Sequence, residues 1–335
     1  MKVLGDMTED RKKDMVMGCL VGLAVGDAYG TTYEFKNRAQ MPPAENLPDQ
    51  LTGAGPFNLK PGDWTDDTSM ALCLAESIVE HGWNPRDQMK KYINWWQHGY
   101  NSVNGVCFDI GGATRKALGW FNMTEGREFI KDTDAAGNGV LMRLAAIPMI
   151  LHGDINSVLA SCAYQSMMTH PSSQSVECSM LMGAMIDKIL SGERDKLVIT
   201  HFETLFDEPT KEYYQTMFTK HGGKLNGKIE GIKRVEYDGL PADKISGDGY
   251  CVFTLEAALW AFLSTDSFKE GLKKVVALGD DTDTTGAVYG QIAGAYYGLK
   301  AIPWTDKITW SEKIHKLAEQ LYEQNKERRN EVTGN

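Results

Sequence analysis

The stretch MVMGCLVGLAVGDAYG, residues 15–30, decides the fold class of this chain, because a glycine interrupts its apolar residues at every fourth position. Those glycines are at positions 18, 22, 26 and 30. A second stretch, TTGAVYGQIAGAYYGL at 284–299, repeats the spacing with glycines at 286, 290, 294 and 298.

Residues four apart share one face of an α-helix, so each set of glycines forms a ridge without side chains. Glycine in a helix interior costs roughly 1 kcal/mol relative to alanine. We therefore expect close backbone contact along each ridge, either between these two helices or beside a binding site. The alternative is a flexible and poorly formed helix, but the apolar residues between the glycines argue against it.

Helical spacing also dominates the rest of the chain, where apolar residues recur at three- and four-residue intervals between Gly, Pro and Asn. The segments with this pattern are 68–80, 88–96, 113–121, 140–150, 158–168, 175–190, 254–262 and 268–278. Alternating β patterns are nearly absent, and the best strand candidate, 235–237, is short. The sequence therefore predicts an all-α protein with a single compact helical domain.

The predicted domain spans residues 15–324 and follows a charged N-terminal extension at 1–14. Residues 191–246 are polar and only weakly periodic, which indicates an insertion within the domain. The charged segment 325–335 is expected to form a flexible tail.

The composition is that of a soluble globular protein, with 335 residues of which 42% are apolar and 24% are charged. A net charge of −10 argues against a basic surface for nucleic acids or membranes. The six cysteines lack CxxC spacing and are typical of buried residues in a reducing compartment. The N-terminus does not have the pattern of a signal peptide. We expect a cytoplasmic protein without membrane attachment, and a monomer.

Two acidic clusters carry the chemistry. One is TDDT at 65–68, and the other is DDTDTT at 280–285. Each opens an apolar stretch, so its carboxylates carry a desolvation cost that another group must offset. Carboxylates and hydroxyls together form the all-oxygen shell that hard divalent cations prefer. If the fold joins the clusters, they can hold two Mg²⁺ or Mn²⁺ ions.

Helix capping is the alternative interpretation of both clusters, because Thr or Asp before an apolar run is the usual N-cap. A cap needs one Asp, whereas the first cluster has two and the second has three. The acidic excess favours a binding site.

Other polar positions occur at predicted helix ends. Asp27 lies near the C-terminal end of its helix, which is unfavourable for a carboxylate, so we expect it to have a fixed partner. Glu34 follows in a loop and is either a surface charge or a group near a metal-bound water. Gly111 precedes a helix whose free N–H groups suit a pyrophosphate. The absence of GxSxG and Walker A patterns argues against serine hydrolase and P-loop chemistry.

These motifs, in this order, resemble those of the ADP-ribosylglycohydrolase family. The resemblance covers about residues 15–190 and 247–303. The matching motifs are GCLVGLAVGDAYG at 18–30, GDWTDDT at 62–68, GNGVLMR at 137–143, TH at 169–170, TLEAALW at 254–260 and GDDTDTTGA at 279–287.

The resemblance implies an all-α domain with a binuclear Mg²⁺ or Mn²⁺ centre at helix termini and loops. The implied metal ligands are Thr65, Asp66, Asp67, Asp281, Asp283 and Thr284. Glu34 or Asp281 is the expected acid/base, and the sequence does not choose between them. The expected substrate-binding residues are Gly111, Asn138, Gly139, His170, Gly247, Gly249 and Tyr250.

The implied activity is metal-dependent hydrolysis of the glycosidic bond between ADP-ribose and its acceptor. The acceptor is open: an arginine or serine side chain of a protein, a polymer, a small molecule or, less in keeping with the net charge, a modified nucleic acid. Two other classes stay as alternatives. One is a non-turnover ADP-ribose-binding or interaction protein, and the other is a metal-dependent phosphohydrolase.

Overall fold

Helices form the regular structure of the described residues, 7–131 and 134–334 of this computed structural model. In chain order they are α1 (Glu9–Gly30), α2 (Asp66–His81), α3 (Pro85–His98), α4 (Gly112–Met123), α5 (Ala146–Leu151), α6 (Ile155–Thr169), α7 (Ser173–Leu190), α8 (Lys196–Thr200), α9 (Phe202–Leu205), α10 (Glu208–Lys220), α11 (Gly227–Lys233), α12 (Cys251–Leu263), α13 (Phe268–Val276), α14 (Thr282–Tyr297) and α15 (Ser311–Thr333). Short 3₁₀ turns occur at Arg38–Gln40, Ala44–Asn46, Asn138–Val140, Ala242–Lys244 and Leu299–Ala301. Those two ranges contain isolated β-bridges but no strand. The predicted all-α class is confirmed.

The two glycine ridges face each other, as expected. A β-carbon added to Gly22 would lie 2.2 Å from the carbonyl oxygen of Gly290, and one added to Gly26 would lie 2.1 Å from that of Gly286. Residues later in α1 face residues earlier in α14, so the two helices run antiparallel. The C-terminal end of α1 is thereby placed beside the N-terminal end of α14, which carries the second acidic cluster.

The N-terminal end of α2 reaches the same point through Asp27. This fully buried carboxylate accepts hydrogen bonds from the backbone N–H groups of Thr65 and Thr68, at 3.0 Å each, and from the Thr68 hydroxyl at 2.6 Å. A side chain of α1 therefore satisfies N–H groups that α2 cannot satisfy itself. The expectation that Asp27 has a fixed partner is confirmed, and three helix ends converge.

Two predicted elements differ from the observed ones. The segment 140–150 is helical only from Ala146, because Pro148 has no N–H group and is tolerated in the first turn of a helix but not in its interior. The strand candidate 235–237 is instead part of a turn after α11.

The chain ends also differ from the sequence-based boundaries. Helix α1 begins at Glu9, so 9–14 is helical rather than a separate extension, while 1–6 lies outside the described residues. Helix α15 continues through the predicted flexible tail to Thr333, and Asn325 donates hydrogen bonds to the carbonyls of Ile150 and His152. Asn335 lies outside the described residues.

Residues 191–246 contain α8 to α11, and their designation as an insertion stays a prediction. A buried ion pair joins this segment to α7, with Lys233 Nζ 2.6 Å from Glu177 Oε1. Throughout the described ranges, the helices are too short or too polar to cross a bilayer.

Candidate metal and substrate site

The fold joins the two acidic clusters, as the metal hypothesis requires. The Thr65 hydroxyl lies 3.3 Å from Asp283 Oδ2. The Thr284 hydroxyl lies 3.3 Å from Asp67 Oδ2. Four oxygen-bearing side chains from the starts of α2 and α14 thus form one group, and all four residues are buried.

The clusters occupy helix N-termini without capping them through their own side chains. Thr65 and Asp281 stand at the N-cap positions of α2 and α14, yet neither side chain makes the capping hydrogen bond. Asp27 serves α2 in that role. Asp281 Oδ2 instead accepts a hydrogen bond of 2.7 Å from the side-chain amide of Asn138. The capping interpretation therefore does not account for the cluster side chains.

Two further carboxylates complete the group. Glu34, Asp109 and Asp283 each place an oxygen within 4.8 Å of the other two. Asp109 also acts on Asp66, because burial and then repulsion from Asp109 raise the pKa of Asp66 well above its ordinary range. Sequence reasoning included Glu34 but missed Asp109. Its only local signal is its position just before Gly111 and Gly112, which drew attention to the glycines instead.

These acids strongly disfavour one another's charge. Burial, followed by repulsion from Asp109 and Asp281, raises the pKa of Glu34 to about 9. Burial and neighbouring carboxylates also raise the pKa of Asp66 and Asp67 well above the ordinary range. The buried Arg143 guanidinium interacts electrostatically with Asp66, but the pKa of Asp66 stays raised despite it.

A divalent cation fits this donor set. Glu34 Oε2 and Asp67 Oδ1 are buried and have no hydrogen-bond partner among the described residues. Such orphaned acceptors are costly unless a cation or a proton satisfies them. The donors are carboxylate and hydroxyl oxygens, which suit Mg²⁺ or Mn²⁺ rather than softer metals.

A cavity of about 280 Å³ opens above the carboxylates. The predicted site residues on its wall are Glu34, Asp66, Gly111, Asn138, Gly139, His170, Gly249, Asp281 and Thr284. The acidic residues of the wall are Glu34, Asp66, Asp109 and Asp281, and we call the part formed by Gly111, Gly112, Gly137 and Gly139 the glycine end. Thr65, Asp67 and Asp283 lie beside the cavity within the cluster of buried oxygens described above.

The glycine end brings backbone close to a buried imidazole. A β-carbon at Gly139 would lie 3.1 Å from the His170 ring, and one at Gly137 would lie 3.3 Å from it. Burial lowers the pKa of His170 to about 3, so the ring is neutral and can only donate or accept hydrogen bonds. Its Nδ1 already lies 2.9 Å from the Thr169 hydroxyl.

Two predicted substrate-binding residues, Gly247 and Tyr250, stand outside the cavity wall that the described residues form. The Gly247 carbonyl accepts a hydrogen bond of 3.0 Å from the backbone N–H of Asp281, so this glycine positions the second cluster. The Tyr250 hydroxyl donates to Gln174 of α7 and accepts from Asn226 of the segment 191–246.

Comparison with known proteins assigns this arrangement to a family. The model of the family described as ADP-ribosylglycohydrolase matches residues 7–331. An ADP-ribosylarginine hydrolase Tri1 from Pseudomonas putida (strain GB-1) is 37% identical over 322 residues, covering 95% of this chain and 80% of its own. An ADP-ribosyl-[dinitrogen reductase] glycohydrolase from Rhodospirillum rubrum is 28% identical over 306 residues, covering 90% of this chain and 92% of its own.

A solved structure described as an ADP-ribosylglycohydrolase-related protein complex superposes with a TM-score of 0.75 and 34% identity. The match covers 94% of this chain and 99% of that one. The chain therefore belongs to the ADP-ribosylglycohydrolase family and is a hydrolase that releases ADP-ribose by cleaving a glycosyl bond.

Proposed function

We propose that this protein removes ADP-ribose from arginine side chains of other proteins, with the help of two Mg²⁺ or Mn²⁺ ions. Water replaces the guanidine nitrogen at the anomeric carbon: the C–N bond breaks, a C–O bond forms, and the leaving nitrogen takes a proton. The observation that carries the proposal is the acidic cavity with its unpartnered oxygens. The 37% identity to an ADP-ribosylarginine hydrolase favours arginine as the acceptor.

The residues that would hold the ions are those of the two joined clusters. They are Thr65, Asp66, Asp67, Asp281, Asp283 and Thr284. Bound cations would supply Lewis-acid polarisation of the ribose hydroxyls and of the attacking water.

Among the acids, Glu34 is the best candidate for the proton-transfer group. Glu34 lines the cavity, and its Oε2 is buried without a hydrogen-bond partner among the described residues. Its raised pKa keeps the carboxyl protonated in the metal-free site, and bound cations would favour the ionised form, which can accept a proton from the attacking water. Asp281 is less suited, because its Oδ2 already accepts the hydrogen bond from Asn138. The surrounding carboxylates stabilise positive charge that develops at the anomeric carbon as the bond breaks.

The glycine end of the cavity suits the rest of the ligand. Helix α4 begins at Gly112, where no side chain covers the first N–H groups, and added β-carbons at Gly111 and Gly112 would meet nothing within 4 Å. An N-terminal helix end with open access favours a pyrophosphate. The ADP portion then extends over the glycines, and the bond to be cleaved lies over the carboxylates.

The deciding experiment uses matched peptides that carry ADP-ribose on arginine or on serine. Each is incubated with the protein and Mg²⁺ or Mn²⁺, and the products are identified by mass. We expect release of ADP-ribose from the arginine-linked peptide, loss of turnover in EDTA, and recovery on addition of either ion. Turnover that persists in metal-free buffer contradicts the metal-dependent proposal, and exclusive cleavage of the serine-linked peptide contradicts the arginine assignment.

The same assay separates the other classes. AMP or phosphate as the product would indicate a phosphohydrolase. Calorimetric binding of ADP-ribose without turnover of either peptide would indicate a non-turnover binder. The monomeric state and the cytoplasmic location stay predictions.

A further inference from the structure

Three phenylalanines from separate parts of the chain meet beside the cavity, and Phe35 lines it. The ring centroids of Phe35 and Phe57 are 6.2 Å apart with an interplanar angle of 74°, and those of Phe57 and Phe108 are 5.1 Å apart with an angle of 55°. We call these three residues the aromatic rim. Phe35 lines the cavity and is 66% exposed, whereas Phe57 and Phe108 are half-buried and support it. An aromatic side chain on the wall of a cavity is available to contact a bound ligand.

The backbone holds Phe35 in this exposed position. The Phe35 N–H donates to the Asp280 carbonyl at 2.8 Å, and the Asp280 N–H donates to the Lys36 carbonyl at 2.7 Å. Phe35 has a φ of 63°, a left-handed backbone conformation that residues other than glycine rarely adopt. Such conformations persist when the surrounding structure imposes them, and they cluster at functional sites.

The supporting ring is also fixed. Phe57 lies in a tight turn closed by two reciprocal hydrogen bonds, from the Ala54 N–H to the Leu59 carbonyl at 2.6 Å and from the Leu59 N–H to the Ala54 carbonyl at 2.9 Å. The Phe35 ring is thus presented to the cavity by ordered segments.

The position of the rim identifies which half of the substrate it faces. Phe35 directly follows Glu34, and Phe108 directly precedes Asp109, so the rim adjoins the carboxylates. In the proposed function the bond that breaks lies over those carboxylates, and the Phe35 ring lines the cavity next to Glu34 in the chain. The Phe35 ring is therefore close to the leaving group in that binding mode.

The chemistry of the rim matches a planar cation. A guanidinium stacks on aromatic faces and is weakly hydrated for a charged group. The neighbouring carboxylates attract positive charge, while the basic side chain nearest in sequence, Lys36, lies over the Tyr33 ring at 5.1 Å from its centroid. An incoming cation therefore meets an aromatic face beside an acidic wall.

We propose that the aromatic rim is the acceptor subsite, in which the guanidinium of an ADP-ribosylated arginine stacks on the Phe35 ring. This assignment rests on the proposed function and extends it to acceptor selection. Phe57 and Phe108 act as positioning residues that keep the Phe35 ring over the mouth of the cavity.

The test replaces Phe35 by Leu, which keeps apolar volume but removes the aromatic face. We expect KM for an arginine-linked ADP-ribosyl peptide to rise about 3- to 30-fold, the range for a cation–π contact at exposed to desolvated sites. Because the stacking is made in both ground and transition states, kcat changes less than KM. The calorimetric Kd for free ADP-ribose, which lacks the guanidinium, changes less than about twofold. Phe35→Tyr restores most of the lost affinity for the peptide.

Trp83→Leu is the matched control, because Trp83 is an exposed aromatic (40%) that lines a different groove, with Ile78 and Tyr164. It should leave KM for the peptide unchanged. Thermal melting verifies that each variant is folded.

The outcomes separate the subsite from the function. If the wild-type protein cleaves the arginine-linked peptide and Phe35→Leu leaves KM unchanged, the rim assignment is overturned while the proposed function stands. If Phe35→Leu weakens the binding of free ADP-ribose as much as the binding of the peptide, the ring contacts the nucleotide. The acceptor assignment is then overturned. If the wild-type protein does not cleave the arginine-linked peptide, both the proposed function and the acceptor assignment are overturned.

Discussion

Glu34 is the residue at which chemistry and binding can be separated. Its carboxylate is buried at the cavity wall and its Oε2 has no partner among the described residues. Glu34→Gln keeps the shape but removes the proton acceptor, so kcat should fall about 10²- to 10⁴-fold while ADP-ribose affinity changes less than about tenfold. Turnover of one arginine-linked peptide beside calorimetry of ADP-ribose binding checks this.

Glu45→Gln is the control for that measurement, because Glu45 is exposed in the loop that follows Glu34. It should leave both quantities at the wild-type value. An unchanged kcat in Glu34→Gln would remove Glu34 from the catalytic group, and a collapse of affinity would make it a ligand-holding residue.

Asp66 and Asp283 test the metal site without relying on turnover. Burial, followed by repulsion from neighbouring carboxylates, raises the pKa of each, so the metal-free cluster destabilises the fold. Asp66→Asn or Asp283→Asn should abolish calorimetric Mn²⁺ binding yet leave the metal-free melting temperature equal or higher. Asp238→Asn, at an exposed position in the turn after α11, should alter neither. Unfolding of both site variants would instead indicate a structural role.

At the scale of the elements, the contact between α1 and α14 depends on the absence of side chains. A β-carbon at Gly22 would lie 2.2 Å from a backbone carbonyl oxygen of α14, and one at Gly290 would lie 2.1 Å from that of Gly22. Only movement of a whole helix relieves such a contact. Movement of α14 would also displace the second acidic cluster, so the glycine ridges serve the site as well as the core.

Two alanine substitutions with opposite expected effects on the free energy of unfolding test this contact. Gly22→Ala should destabilise the protein by about 1–3 kcal/mol, because overpacking outweighs the better helix propensity of alanine. Gly119→Ala is the matched change in α4, where the nearest atom to an added β-carbon is 4.0 Å away. It should stabilise by up to about 1 kcal/mol. Urea unfolding measures both, and equal stabilisation of the two variants would contradict close packing.

At the scale of the whole molecule, local signals predicted the helices that surround the site, but not every element that completes the fold. The glycine ridges and the acidic clusters are visible because each is a dense local pattern. Helix α15 was missed, because its buried residues Ile314, Leu317 and Leu321 are diluted by charged neighbours. Asp109 was missed for a different reason: its role depends on proximity to residues distant in sequence, which no local pattern encodes.

The contact that joins the segment 191–246 to the core is also between residues distant in sequence. Lys233 Nζ lies 2.6 Å from Glu177 Oε1, and their side chains are only 8% and 1% exposed. The Lys233 ammonium also lies 5.1 Å from the centroid of the Phe202 ring and 5.4 Å from that of Tyr214. A carboxylate buried this deeply depends on its partner for neutralisation.

Removing one member of the ion pair should therefore lower the free energy of unfolding much more than removing both members. Lys233→Met should destabilise the protein by about 3–5 kcal/mol in urea unfolding, because Glu177 is left buried and uncompensated. The double variant Glu177→Gln/Lys233→Met should recover most of that loss, since the glutamine carbonyl can still accept from the Tyr214 hydroxyl. Arg234→Met is the control, because the neighbouring Arg234–Glu236 pair is 58% and 59% exposed and should contribute less than about 1 kcal/mol. If Lys233→Met is as mild as Arg234→Met, the lobe is held by its apolar contacts rather than by this ion pair.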